Sequence, residues 1–302
     1  MTEAAQTRSP RRKRRIAWAP ILALAPAAVV AVVVYIGAML WTVRLTFTNS
    51  RMLPLLDYAG LAQYRRLFAT ERFTISAVNI VIFGVLFIVG ALMLGFLLAV
   101  FIDQKVRAEG IFRTIFLYPY SMSFIVTGLA WQWFLNPQLG IQNTVRGFGF
   151  PNFTFDWIVN QDRVIYTLVI AAIWQASGLV MAILLAGLRG VDADLWKATK
   201  IDAIPTWRVY LSIILPLIAP MFVTASVLLA VAVAKLYDLV VAMTKGGPGI
   251  SSEVPAKFIM DNFFERANVG LGSAAATVLL VTVIAILAPW LYSQHIANGK
   301  AS

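Results

Sequence analysis

The chain has 302 residues, of which 60% are apolar and only 13% are charged, and its mean hydropathy is +0.79. This apolar share exceeds the roughly 45–50% that is typical of soluble domains, which excludes an ordinary water-soluble protein. The net charge of +11 is no sign of nucleic-acid binding, because six of the 25 Lys and Arg residues lie in residues 8–15, directly before an apolar stretch, as expected for a tail beside anionic lipid. The absence of cysteine excludes disulfides and thiolate chemistry.

Long uncharged stretches divide the chain into six predicted membrane spans. They cover residues 16–43, 73–102, 114–145, 164–188, 209–234 and 267–299. Each exceeds the roughly 20 residues that a helix needs to cross the hydrocarbon layer. Because a backbone in lipid must satisfy its own hydrogen bonds, stretches that are apolar on every side predict helices rather than barrel strands. We expect an all-α polytopic membrane protein with six transmembrane helices.

The predicted domains are a basic cytoplasmic tail at 1–15 and one transmembrane domain at 16–299. Within it we place the spans at about 17–42, 74–102, 114–135, 164–188, 209–234 and 269–293, with a cytoplasmic loop at 189–208. Residues 23–25 resemble a signal cleavage site, but the first apolar stretch is longer than the roughly 7–15 residues of a signal peptide. We therefore predict a retained first helix.

The orientation of the spans follows from the basic residues between them. With both termini in the cytoplasm, 14 of the 25 basic residues lie on the cytoplasmic side, including Lys105, Arg107, Arg113 and Lys300. Without the basic tail this excess disappears, so the predicted orientation depends on the tail and needs support from another feature.

Small residues and prolines within the spans predict how the helices pack and bend. Close helix approach is expected at Gly84, Gly90, Ala91, Gly95 and residues 273–276. Bends or helix ends are expected at Pro20, Pro26, Pro119, Pro216 and Pro220.

Several kinds of chemistry have no candidate residues in this sequence. There is no G-x-x-x-x-G-K-[ST] phosphate loop, so any ATPase must be a separate chain. No span carries an ionisable residue at its centre, which disfavours ion-coupled transport. His295 is the only histidine and has no acidic cluster near it, so neither catalysis nor a metal site is predicted.

The loop at 189–208 reads as a helix, a break and a second helix. Either Asp192 or Asp194 can cap the first helix, and Pro205 is expected to stop it near Ile204. Thr206 can cap the next helix, which continues into the fifth span.

The first of these two helices has a face of small and apolar side chains. Leu195, Ala198 and Thr199 fall at positions i, i+3 and i+4, so they share one side. A short helix of this kind, lying across the membrane face, is suited to dock in a groove of another protein.

This loop resembles the permease subunits of ATP-binding-cassette (ABC) importers. Their pattern is Glu-Ala-Ala, three residues, Gly, nine residues, Ile, one residue and Leu-Pro. The same spacing holds Lys197, Ala198, Thr199, Ala203, Ile213, Leu215 and Pro216 here. Lys197, Thr199 and Ala203 replace the usual Glu, Ala and Gly, whereas the usual Asp before that Gly is retained as Asp202.

The resemblance implies that the loop forms a coupling helix, which fits a cleft of a cytosolic ATPase. The coupling residues would be Asp194, Lys197, Ala198, Thr199, Asp202, Ala203 and Trp207. Lys197 cannot act as the acidic residue of the family, so either Asp194 substitutes for it or the ATPase carries a compensating change.

The resemblance also implies the partners and the location. The partners would be a second, homologous permease, two copies of the ATPase, an extracytoplasmic sugar-binding protein and membrane lipid, with no nucleic acid. The chain itself would hold no cofactor, since ATP and Mg would bind to the ATPase. It would lie in a bacterial inner membrane with both termini in the cytoplasm, and alternating access would move the solute.

Along most of its length the chain is similar to six-helix sugar permeases. The matching features include Gly60, Leu61 and Tyr64, Asn136-Pro137, Trp174 and Gly178, and Thr244 with the following residues 245–248. Residues 235–244 and 251–256 are similar to the glucose/mannose branch, and the predicted substrate depends on that likeness alone. The alternatives are an oligosaccharide or glycerol-phosphate type solute, an ion-coupled secondary transporter, or a membrane enzyme or assembly factor.

A sugar pathway should combine hydrogen-bonding groups with aromatic rings. The candidates are Asn79, Trp131, Gln175, Lys235, Tyr237 and Asp238, with Trp133 and Trp174 as further aromatic candidates. Lys235 and Asp238 could form an i, i+3 pair beside Tyr237, or all three could simply be interfacial anchors. The tryptophans could likewise anchor at the interface, and the two amides could join helices.

Overall fold

The computed structural model describes residues 18–53, 55, 57–104 and 106–300, with side chains from residue 23 to 286 and at 288 within those ranges. The predicted basic tail and Lys105 lie outside the described residues. The side chains of His295 and Lys300 are likewise not described.

Nearly all of the regular structure in the described part of the chain is helical. The helices are α1 Trp18–Ala31, α2 Gly37–Leu45, α3 Ala62–Phe68, α4 Glu71–Asp103, α5 Glu109–Ser121, α6 Phe124–Phe134, α7 Ile141–Gly147, α8 Val164–Arg189, α9 Ala193–Ile201, α10 Thr206–Val209, α11 Leu215–Leu217, α12 Ala219–Ala234, α13 Asp238–Met243, α14 Pro255–Met260 and α15 Val269–Lys300. The described residues contain no strand beyond a single bridge between Thr48 and Tyr58. The all-α prediction is therefore confirmed.

Residues up to Arg44 form a unit of their own. A π-helical turn, Val32–Ile36, joins α1 to α2, so helix runs through the whole of 18–45. The Arg44 guanidinium lies 5.6 Å from the ring centre of Trp41. The predicted first span is thus helical from end to end where it is described.

Four helical segments are individually long and apolar enough to cross a membrane: Ala23–Leu45, Glu71–Asp103, Val164–Arg189 and Val269–Ile286. The other two predicted spans are bent. Glu109–Ser121 and Phe124–Phe134 meet at 99°, and Thr206–Leu217 and Ala219–Ala234 meet at 69°. The described residues therefore contain four spans, or six if each bent pair counts as one.

Helices α4 and α8 form the centre of the second unit, residues 45–302, and small residues bring them together. A Cβ added at Gly90 would lie 2.3 Å from Ile173 Cδ1, and one at Gly95 would lie 2.5 Å from Val180 Cγ1. Ala91 is fully buried in the same contact. The close approach predicted from these small residues is confirmed, and dispersion contacts between the two helices replace those with lipid.

Both bends lie beside prolines at which a bend or a helix end was predicted from the sequence. Pro119 lies in the last turn of α5, and Pro216 and Pro220 flank the break at Ile218. Proline lacks the N–H that a continuous helix needs, so carbonyl groups are left without a helical partner. At the first break the buried Gln175 Nε2 donates to the Met122 carbonyl over 2.7 Å.

Candidate functional site

The loop between α8 and α10 is built around the short helix α9. Its cap is Asp192, whose side chain accepts a hydrogen bond of 2.8 Å from the Asp194 N–H. The helix ends at Ile201, earlier than the predicted stop near Ile204. Thr206 is the first residue of α10 and makes no side-chain capping bond, so its predicted capping role is wrong.

The carboxyl end of α9 closes with two backbone hydrogen bonds around Ala203. The Ala203 N–H donates to the Lys200 carbonyl over 3.2 Å, and the Ile204 N–H donates to the Thr199 carbonyl over 3.1 Å. This pairing is a Schellman motif, in which the first residue beyond the cap adopts a left-handed conformation. Ala203 does so with φ +50°. Its position corresponds to the glycine of the family pattern, so the substitution places an L side chain where glycine is favoured.

Replacing Ala203 by glycine is expected to stabilise the end of α9 by about 1 kcal/mol, because a left-handed conformation costs roughly that much for an L residue. Amide hydrogen exchange in α9 should therefore slow. Ala198→Gly is the matched control: Ala198 is exposed in the interior of the same helix, where glycine should speed exchange instead. Faster exchange in Ala203→Gly would contradict the role given to the motif.

One side of α9 packs against the helical core of its own unit. The Trp196 ring meets the Tyr210 ring edge-on at 5.6 Å, and the Tyr210 hydroxyl accepts a hydrogen bond of 3.2 Å from Gln104 Nε2 at the end of α4. Thr199 is buried and Leu195 is half-buried against this core, whereas Ala198 is exposed, so the chain itself covers part of the predicted small and apolar face.

Ion pairs hold the residue at which the loop begins, Arg189, against neighbouring helices. Arg189, the last residue of α8, donates to Glu109 Oε1 over 2.8 Å and lies 3.9 Å from Asp103 Oδ1. The ends of α4 and α8 and the start of α5 are therefore joined at the point where the loop begins.

The other side of the loop carries exposed groups of mixed character. Lys197 Nζ pairs with Asp194 Oδ1 over 2.8 Å, and both side chains are largely exposed. Ile201 is 83% exposed and Trp207 is 64% exposed. Ala198 and Asp202 are exposed as well. We call the exposed side chains of Asp194, Lys197, Ala198, Ile201, Asp202 and Trp207 the outward face of the loop.

Three of the predicted pathway residues come together beside the middle of α4. Lys235, Tyr237 and Asp238 line a narrow cleft with Phe83 and Phe87, and its free volume is about 10 Å³. The helix α12 ends at Ala234, so Lys235 and Asp238 lie in a turn and at the start of the next helix. They form no ion pair within 4.0 Å in the described structure, and the predicted i, i+3 pair is wrong for that reason.

The remaining pathway candidates hold neighbouring segments in place. Asn79 Nδ2 donates to the carbonyls of Ser251 and Glu253, over 2.9 and 2.8 Å. Gln175 binds the α5–α6 break, as described above. Trp131 packs edge-on against Trp174 with the ring centres 5.9 Å apart. None of the three lines the cleft around Tyr237.

A cluster of four buried charged residues, which was not predicted from the sequence, lies between the start of α4 and residues 253–261. Arg72 Nη2 lies 2.9 and 3.0 Å from the two carboxylate oxygens of Glu253 and also contacts Asp261 Oδ2. Lys257 Nζ donates to the same Asp261 oxygen over 2.6 Å and lies 4.0 Å from Glu253 Oε2. We call these four residues the buried ionic cluster.

Burial dominates the electrostatics of this cluster. Glu253 is 1% exposed, and burial raises the pKa of its carboxyl above the ordinary value of 4.5, while the hydrogen bond from Arg72 opposes the rise. A sequence signal did exist: Glu253, Lys257 and Asp261 are spaced four apart, a spacing that would bring side chains together on a helix. Nothing local pointed to Arg72.

Comparisons with known proteins give a matching family, similar sequences and a solved structure with the same fold. Residues 91–295 match the family described as the binding-protein-dependent transport system inner membrane component. A probable ABC transporter permease protein of Pyrococcus horikoshii is 35% identical over 91% of this chain and 95% of its own length. A xylose/arabinose import permease protein of Haloferax volcanii is 30% identical over 91% of this chain and 87% of its own. A crystal structure of a bacterial ABC transporter that imports the acidic polysaccharide alginate shares the fold, with a TM-score of 0.79, 18% identity and coverage of 93% of this chain and 95% of that one.

Proposed function

The chain belongs to the family of inner membrane components of binding-protein-dependent transport systems, and on that premise we propose that it forms half of the pathway of an ATP-driven sugar importer. A second, homologous permease supplies the other half. Two copies of a cytosolic ATPase bind ATP and Mg below, and an extracytoplasmic sugar-binding protein delivers the solute above.

The observation that carries the proposal is the outward face of the loop. Ile201 and Trp207 expose large apolar surfaces on a loop whose other side is fixed to α4 and α8. Exposed apolar side chains beside charged ones are typical of an interface with another protein. Docking of the ATPase here would place both termini in the cytoplasm, in agreement with the orientation that the basic tail favours.

The contacts that join α9 and the start of the loop to the core helices support a mechanism by which ATP binding is coupled to movement of the permease. Trp196, Tyr210 and Gln104 join α9 to the end of α4, and Arg189 joins the end of α8 to Glu109. When ATP closes the ATPase pair, a force on α9 reaches α4 and α8 through these contacts. The two packed helices then move together, and the pathway switches between inward-facing and outward-facing states.

We propose a hexose, glucose or mannose, as the solute. Support comes only from the likeness of residues 235–244 and 251–256 to the glucose/mannose branch, because the names of two of the similar proteins give other solutes, xylose/arabinose and alginate. The cleft carries one positive and one negative side chain, Lys235 and Asp238, beside Tyr237, which suits a solute without net charge. Its small volume is consistent with a pathway that the second permease completes. An oligosaccharide or a glycerol-phosphate type solute is the alternative.

Changing the outward face should uncouple the permease from its ATPase. Ile201→Asp is expected to lower copurification of the ATPase and ATP-driven sugar uptake at least tenfold, because a carboxylate would be buried in an apolar contact. The matched control is Phe148→Asp. Phe148 is similarly exposed, at 78%, but lies after α7 and outside the loop.

Charge variants of the same face separate apolar docking from electrostatic docking. Lys197→Glu and Asp194→Lys should each change copurification if the ATPase reads these charges; unchanged assembly in both would remove any docking role for them. Normal copurification and uptake with Ile201→Asp would contradict the proposal. Uptake that survives loss of the ATPase but falls with an uncoupler would instead support an ion-coupled transporter. The sugar captured by the cognate binding protein tests the choice of glucose or mannose independently of these results.

A further inference from the structure

A polar hollow of about 460 Å³ lies among α3, the segment before it and the start of α15. Its lining residues are Asn49, Arg51, Leu55, Gln63, Arg66, Arg266, Ala267 and Asn268. Three of them are arginines and none is acidic. Asp57 and Glu265 are near in sequence, but neither lines the hollow. Within the described residues, no carboxylate lies within 4.0 Å of any of the three arginines.

The hollow lies at the level where two membrane-spanning helices begin. Arg66 comes shortly before Glu71, the start of α4, and Arg266 comes shortly before Val269, the start of α15. Residues directly before a span lie where the hydrocarbon meets the lipid headgroups. The segment beside Arg51 is also suited to contact lipid, since its Met52 and Leu53 side chains are among the most exposed apolar groups of the described chain.

Backbone hydrogen bonds hold the frame of the hollow. The Gly270 N–H donates to the Ser50 carbonyl over 2.8 Å, which ties the start of α15 to the segment before α3. Gln63 Nε2 donates to the Thr48 carbonyl over 2.9 Å and to Asn49 Oδ1 over 3.2 Å. The other amide atom, Gln63 Oε1, is buried and has no hydrogen-bond partner. The hollow thus combines three arginine guanidinium groups with an amide oxygen that has no hydrogen-bond partner.

We propose that this hollow binds the headgroup of an anionic phospholipid. Arg51, Arg66 and Arg266 would donate to its phosphate oxygens, because a guanidinium matches phosphate geometry with paired N–H groups. Gln63 Oε1 would accept a hydrogen bond from a headgroup hydroxyl. The acyl chains would lie against Met52 and Leu53. The lipid would thereby fix the outer ends of α4 and α15, the helices between which the arginines lie.

Lipid retention by the purified full chain in nanodiscs tests this proposal. Phosphatidylglycerol is expected to remain bound in native mass spectrometry, whereas phosphatidylcholine is lost. Each of Arg51→Gln, Arg66→Gln and Arg266→Gln should weaken retention about fivefold and the triple variant roughly a hundredfold, at about 1 kcal/mol per basic residue near a charged surface. Arg65→Gln is the matched control, because Arg65 is exposed on the same helix but does not line the hollow.

Several results would overturn the proposal. These are equal retention of phosphatidylglycerol by the triple variant and the wild type, retention of phosphatidylcholine as strong as that of phosphatidylglycerol, or displacement of the lipid by millimolar inorganic phosphate, which would indicate a site for a free anion. Weaker capture of the extracytoplasmic binding protein with unchanged lipid retention would instead indicate docking of an acidic protein loop. The melting temperature of each variant in phosphatidylcholine nanodiscs should equal that of the wild type. This result, together with the graded losses in the single variants, excludes misfolding as the cause of weaker lipid retention.

Discussion

Replacing Asp261 by alanine is expected to lower the free energy of unfolding by about 3–5 kcal/mol, because it leaves the buried Lys257 ammonium without its close acceptor and removes one of the two carboxylates that bind Arg72. Lys257 Nζ and Arg72 Nη2 both bind the same Asp261 oxygen, and the Asp261 side chain is almost fully buried. Thermal unfolding in detergent measures the change, and a smaller folded fraction should accompany it.

Two controls separate loss of charge balance from loss of contact area. The double change Lys257→Met with Asp261→Leu removes a cation and an anion together and leaves the pair of Arg72 with Glu253 intact. It should recover most of the lost stability, since replacing both partners with apolar groups is far milder than removing one. Asp156→Ala removes an exposed carboxylate and should have little effect. Equal melting temperatures for Asp261→Ala and Asp156→Ala would contradict the role of the cluster.

Replacing Gly178 by alanine is expected to cost about 3 kcal/mol or more, because the added methyl group has no space. Its Cβ would lie 2.1 Å from the Phe116 carbonyl oxygen and 3.0 Å from the Leu117 Cα, both in the backbone of α5. A backbone contact cannot relax by a rotamer change, so α5 would have to move away from α8. Melting temperature and the yield of folded protein measure the effect.

Gly110 offers the opposite case within α5. A Cβ at Gly110 would meet nothing within 4 Å, so Gly110→Ala should be neutral or stabilise by about 0.5–1 kcal/mol through the helix preference of alanine. If both substitutions change the melting temperature equally, the close approach of α5 to α8 is not what requires glycine at 178.

Asn79, a predicted pathway residue, binds the same segment as the buried ionic cluster. An amide in an apolar helix could line a pathway or join segments. Here both of its donated hydrogen bonds go to carbonyls of the 251–253 segment, and Arg72, two turns earlier on α4, binds Glu253 from the same segment. This arrangement holds the segment after α13 against the start of α4, and it engages the Nδ2 atom of Asn79, whose side chain also lines a hollow of about 370 Å³.

The sequence by itself determined the helical class, the positions of the apolar segments and the presence of a short, Asp-capped helix in the loop at 189–208. These features follow from local composition and spacing, since a long uncharged stretch in lipid must be helical. The prediction of close packing at Gly90 and Gly95 succeeded for the same reason: small residues on one helix face indicate contact whatever the partner is. The left-handed Ala203 appeared in the sequence only as a departure from a family pattern.

Only the tertiary structure decided which distant groups meet. Arg72 binds partners 181 and 189 residues away, and no local pattern predicts such a pair. Because α12 ends at Ala234, Lys235 and Asp238 do not lie on one continuous helix. The partner of Gln175 is the Met122 carbonyl, which lies at the break between α5 and α6. Local spacing sets which side chains share a helix face, whereas the free energy of a buried polar group depends on whichever partner the fold brings to it.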